Sequence, residues 1–154
     1  MRKKLTILFM ALVMSVSLFS VGNVEVQAEE LGEDLDYSYL LTEDALVGFS
    51  ESQTWGYYLM SGESIINRIS STKIGAGGAT NASRICEVSI CSIVERKTAT
   101  GWARVTSWTK TNSADTSAII SKSLTVPTGE YYRIRSLHYA GTDASSSWTD
   151  ALPM

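Results

Sequence analysis

The side chains best suited to chemistry here are aromatic and basic, not catalytic. Trp102, Arg104, Thr106 and Trp108 alternate along one segment, with Ala103, Val105 and Ser107 between them. On an extended strand this spacing puts both indoles and the guanidinium on one face. A flat aromatic beside an arginine stacks on a sugar ring and donates to its hydroxyls, and such residues also anchor protein partners. The segment Tyr131–Tyr139 adds Tyr131, Arg133 and Arg135 on a common face. An unpaired buried arginine is costly, which puts this face toward solvent. Trp102, Arg104, Trp108, Tyr131, Arg133 and Arg135 are therefore the candidate ligand-binding residues.

The alternatives from catalysis score lower. A Ser-His-Asp arrangement would use the single histidine, His138, with Asp143 or Asp150. No G-x-S-x-G elbow accompanies it, and its parity with Tyr132 and Ile134 points it inward as a structural residue. Glu87 and Glu95 share a strand face but lie eight residues apart, too far for a glycosidase pair. The run Gly75–Gly78 lacks the Lys-Ser/Thr of a phosphate loop and reads as a wide turn or bulge. No C-x-x-C, H-E-x-x-H or calcium-loop pattern occurs, so neither metal nor cofactor is expected. No catalytic residue is assigned, and the chain reads as a non-enzyme.

These side chains need strands to position them. From Trp55 onward, period-two alternation and β-branched or aromatic residues dominate. Strands are predicted over Gly56–Met60, Ser64–Ile69, Arg84–Glu95, Trp102–Lys110, Ser117–Val126 and Tyr131–Tyr139, with a short last one near Ser147–Ala151. Breaks are predicted at Ser61-Gly62, Gly75–Gly78, Thr98–Gly101, Thr111–Asp115, Pro127–Gly129 and Gly141–Ser145, from their turn chemistry. Strands at this spacing predict an all-β fold, an antiparallel β-sandwich. In Arg84–Glu95, parity sends Cys86, Val88, Ile90, Ser92 and Val94 to the core. Cys86 is then an apolar filler. Cys91 faces the other way, and about 16 Å of extended chain separates the two, against the 4.4–6.8 Å that a disulfide needs between Cα atoms.

The chain has 154 residues and two cysteines, with 44% hydrophobic and 19% charged residues and a formal net charge of −3. That suits one domain and argues against disorder over most of its length. It carries no overall basic footprint for nucleic acid. Residues 1–28 read as a secretory signal peptide: Arg2, Lys3 and Lys4, an apolar run from Leu5 to Val21, then Val26-Gln27-Ala28 as cleavage site. The mature protein is expected outside the cell, without a stable membrane anchor. Residues 29–51 hold eight acids and no base, while residues 52–154 hold seven acids and ten bases. The division expected is a signal peptide, an acidic flexible arm over 29–51, and a sandwich domain over 52–154. Docking of the arm on the basic face of its own domain or of a neighbour is the alternative reading.

Two resemblances add to this. The run Val126-Pro127-Thr128-Gly129-Glu130-Tyr131-Tyr132-Arg133-Ile134-Arg135 resembles the approach to the sixth strand of fibronectin type III and immunoglobulin-like domains. That resemblance implies a tyrosine corner, with Tyr132 first and Tyr131 second as its tyrosine. The body also resembles a family of small secreted proteins from Gram-positive anaerobes. The resemblance rests on Gly56-Tyr57-Tyr58-Leu59, on Lys73 to Ala82, on Cys86 and Val88, on Val94-Glu95-Arg96, on Gly101-Trp102 with Val105 and Trp108, and on Gly129 to Arg135 with His138. It implies secretion and a compact β-rich domain, and brings no activity. The function expected is extracellular binding or adhesion without catalysis, with cell-wall or host glycan as the first ligand class and an extracellular protein as the second. The alternative is a secreted structural or self-assembling surface protein, with an effector acting on a protein partner as a weaker reading.

Overall fold

The computed structural model describes residues 31–50 and 56–154. The expected signal peptide and Trp55 lie outside the described residues. The fold is all-β and antiparallel. In chain order it has β1 (Glu33–Asp34), a single 3-10 turn (Tyr37–Tyr39), β2 (Leu46–Phe49), β3 (Leu59–Ser70), β4 (Lys73–Thr98), β5 (Gly101–Thr125), β6 (Tyr131–Ala140), β7 (Asp143–Trp148) and β8 (Leu152–Pro153).

β4 and β5 are a long hairpin of 26 and 25 residues that runs through the whole molecule. β3 pairs with the first part of β4, Lys73–Ala82, and β6 with the second part, Val88–Arg96. The β4–β5 register shifts between Asn81 and Val88. This irregularity marks the corner between a first half (β1-β5-β4-β3-β2) and a second half (β5-β4-β6, with β7 and β8 on β6). β3 contacts both β6 and β7 across the interior, so the halves face each other. The hydrogen bonding forms one continuous eight-stranded sheet, in contrast to the two separate sheets of a fibronectin-type domain.

The alternating residues of both halves fill the space between them. Ile66, Ile74 and Ala76 from the first half meet Val88, Ile90, Val94, Tyr132 and Ile134 from the second, all at 0% exposure. The core is built from small and β-branched residues, which pack well on pleated surfaces.

Several sequence expectations are corrected. Gly75–Gly78 is the interior of β4, not a turn. Ser61-Gly62 lies inside β3, and Thr111–Asp115 lies inside β5 at the corner. A local turn signature loses here to ladder pairing with the neighbouring strands. A Cβ on Gly62 would stand 2.5 Å from the His138 ring, and one on Gly77 2.0 Å from the Ile120 carbonyl oxygen. These glycines serve close approach rather than a turn.

Over residues 31–50 the acidic segment packs on the body rather than standing free, held at two points by the short strands Glu33–Asp34 and Leu46–Phe49. β1 pairs with β5 and β2 with β3, so the segment crosses the outer face of the first half as a strap. Leu40 is its anchor at 0% exposure, seated over Gly75 and Gly77. The Tyr37 hydroxyl donates to Glu63, and Asn67 Nδ2 donates to the Tyr39 carbonyl at 2.5 Å. Lys73 pairs with Glu33 at 2.9 Å and Lys122 with Asp34 at 3.0 Å. These pairs put acids of the strap against bases of the body. Both are exposed on the acidic side, so they align more than they stabilise.

Candidate functional site

The outer face of the second half gathers most of the candidate residues. Register alone sets its rows. Trp102 pairs with Lys97; Arg104 pairs with Glu95, which pairs with Arg133 on its other side; Ser107 pairs with Ile93, which pairs with Arg135. Arg135 in turn pairs with Trp148 on β7. Directly paired residues project to the same side, so these side chains share one surface. Tyr131 stands at its end, 48% exposed, with the Lys97 ammonium 5.6 Å from its ring centre. A shallow depression beside Tyr131 is lined by Arg96, Lys97, Thr98, Ala99 and Glu130.

Glu95 organises the centre. It is 6% exposed, and each carboxylate oxygen accepts from a different arginine: Oε2 from Arg133 Nε at 2.7 Å and Oε1 from Arg135 Nε at 3.0 Å. The Arg133 guanidinium carbon lies 4.3 Å from the Trp102 ring centre. A buried carboxylate is tolerated because two guanidiniums satisfy both of its oxygens. Within its own strand the chemistry open to Glu95 is a carboxylate pair with Glu87, which lies too far off. The role of Glu95 follows from its position opposite Arg133, which parity within one strand does not reveal.

Trp108 does not belong to this surface. β5 has a bulge at Val105, because Glu95 pairs with Arg104 while Val94 pairs with Thr106. One extra residue inverts the parity beyond it. Thr106 and Trp108 therefore turn inward while Trp102 and Arg104 stay outside. Trp108 is 3% exposed, its Nε1 donates to the Leu31 carbonyl at 2.7 Å, and Gly32 closes over its ring. It plugs the interior beneath the strap. Arg104 remains exposed and donates to Ser107 on its own strand.

His138 sits in the interior at 0% exposure. Its Nδ1 is 2.8 Å from Thr80 Oγ1 and its Nε2 is 2.8 Å from Ser147 Oγ, which is 2.7 Å from Ser64 Oγ. This chain joins β3, β4, β6 and β7. Burial holds the imidazole well below its ordinary range, at about 4. Both ring nitrogens are taken up by hydroxyls, and among the described residues no carboxylate is bonded to either. Asp143 instead accepts from the backbone N–H groups of Tyr58 and Leu59, which hold its carboxyl below the usual range.

Tyr132 is fully buried, and its hydroxyl donates to the Pro127 carbonyl at 3.3 Å. Cys86 is only partly buried at the core margin, where the register shift at the corner breaks the alternation expected of it. Cys91 is on the outer face, paired with Thr109 and Leu137, and both thiols are free. Among the described residues no group of three or more histidine, cysteine or carboxylate side chains is placed to hold a metal ion. No described helix is long and apolar enough to cross a membrane.

Comparison of the chain with protein-family models, with curated proteins and with solved structures gives no match.

Proposed function

We propose that this protein is an extracellular, non-catalytic binding module that holds carbohydrate on the outer face of its second half. The observation that carries the reading is one surface on which register aligns Trp102, Lys97, Glu95, Arg133, Arg135 and Trp148 beside Tyr131. Aromatic edges supply apolar contact for sugar rings, and the guanidiniums supply fixed donors for hydroxyls. The leader-like residues 1–28 and the resemblance to small secreted proteins of Gram-positive anaerobes support an extracellular setting.

The test is a titration of the purified protein with peptidoglycan, mucin and plant polysaccharides, followed by tryptophan fluorescence and co-sedimentation together. A saturable change with at least one polymer, weakened in Trp102→Ala, is the expected result. Silence across the panel contradicts the reading.

A second reading is self-assembly through a strand edge. Gly101–Thr111 of β5 has no strand on its outer side among the described residues, since β1 pairs only with Lys122 and Ser123. Such an edge accepts another chain. The bulge at Val105 and the charges at Arg104 and Lys110 oppose that pairing, which places this reading second. Sedimentation velocity across a wide concentration range separates the two. A monomer throughout removes the assembly reading.

A further inference from the structure

We propose that Arg133 and Arg135 form a fork for an oxyanion, so that the ligand is an acidic polysaccharide bearing carboxylate or sulfate groups. The inference rests on the carbohydrate reading above and narrows it.

Both guanidiniums are already engaged on one side. Arg133 and Arg135 each bind Glu95 through Nε. Their terminal Nη groups have no partner among the described residues, apart from the ring contact of Arg133 with Trp102. Each guanidinium is thus fixed on its inner edge and offers its outer nitrogens to solvent. Long arginine side chains normally lose rotamer freedom on binding an anion. Here Glu95 and the Trp102 face have already removed much of it.

Charge points the same way. The face carries Lys97, Arg104, Arg133 and Arg135 against the carboxylate of Glu95 at its centre and that of Glu130 at the Tyr131 end. One acid cannot neutralise two guanidiniums, so a positive charge remains at the centre after the internal pairs form. A neutral sugar leaves that charge uncompensated. A carboxylate or sulfate accepts paired N–H donors from guanidinium in the planar geometry that arginine favours. The stacking of Arg133 on Trp102 also covers part of the indole, so a sugar ring does not have that ring to itself. An anionic group met by the guanidinium edge fits this arrangement better than ring stacking alone.

The experiment compares three polymers of the purified full protein's titration: polygalacturonate for carboxylate, dextran sulfate for sulfate, and dextran as the neutral control. Wild type is expected to bind one or both acidic polymers at least tenfold more tightly than dextran. The stronger of the two identifies the anion. Arg135→Gln is expected to weaken that binding tenfold or more, and Arg135→Lys to recover little of it because the planar fork is gone. Lys110→Gln removes the same charge elsewhere and is expected to weaken it less than threefold. Unchanged thermal unfolding midpoints confirm that the variants are folded, and Arg133→Lys serves as the second variant should Arg135→Gln fail to fold. Equal weakening by Lys110→Gln, or full rescue by Arg135→Lys, overturns the fork in favour of diffuse charge attraction. Binding to a neutral polysaccharide with no preference for acidic ones overturns the fork but leaves the carbohydrate reading standing. Failure to bind any polysaccharide overturns both.

Discussion

The Arg133 guanidinium rests on the face of Trp102, 4.3 Å from the ring centre, and turns its Nε to Glu95. The indole is therefore a support as much as a contact surface. Cation–π contacts at partly exposed sites are worth about 0.5–1 kcal/mol. Trp102→Ala should cost no more than about 1–2 kcal/mol of stability, since Trp102 is only partly buried. It should weaken ligand binding more than tenfold, because Arg133 loses its orientation. Urea unfolding and polysaccharide titration of the same preparation check both halves of this statement.

Trp108 should behave in the opposite way. It is buried, and its indole N–H is bonded to the strap. Trp108→Ala opens a large cavity and should cost about 3–5 kcal/mol. Trp108→Phe keeps most of the volume but orphans the Leu31 carbonyl, at about 1 kcal/mol. Neither variant should change ligand affinity while it remains folded. Urea midpoints and titration at a temperature well below unfolding test this.

That contrast shows what a single sequence reveals. Alternation in Tyr131–Tyr139 places Tyr132, Ile134, Ser136 and His138 inside, all at 0% exposure, because β6 runs without irregularity. The same logic fails in β5, where a bulge at Val105 separates two tryptophans six residues apart. Bulges follow from pairing with a neighbour, and no local pattern announces this one. Glycine runs mislead for a related reason. Gly75 and Gly77 look like a turn, yet they make room for Leu40, which lies far upstream in the chain. The strap itself was legible as acid-rich, and Lys73 and Lys122 as its counter-charges only once the fold brought them near. Glu95 became visible as a site residue only through its cross-strand neighbours.

His138 sets an acid limit on stability. Its folded value of about 4 lies below its ordinary 6.5, so the unfolded chain binds the proton more readily. Its contribution is fully present above pH 6.5 and is lost as pH falls toward 4. The loss over that window is about 3 kcal/mol. Glu33, Asp36 and Asp143 are also held low. Their contributions are lost only as pH falls below the ordinary carboxylate range, which leaves most of the upper window to His138. Urea unfolding at a series of pH values should show this slope, and His138→Gln should flatten it.

Leu40 ties the strap to the body. Leu40→Ala should cost about 2–4 kcal/mol, because the glycine trough beneath it cannot close. Amide hydrogen exchange should then speed up across residues 31–50, with little change in β6. Equal acceleration in both regions would mean that the strap and core unfold as one unit.

The most direct measurement is amide chemical-shift mapping of the isotope-labelled protein with an acidic oligosaccharide. The account predicts saturable shifts clustered at Lys97, Trp102, Tyr131, Arg133 and Arg135, with the Glu95 amide among them. It also predicts an unmoved Trp108 indole signal. Shifts centred on the first half, or no shifts with any saccharide, would contradict it.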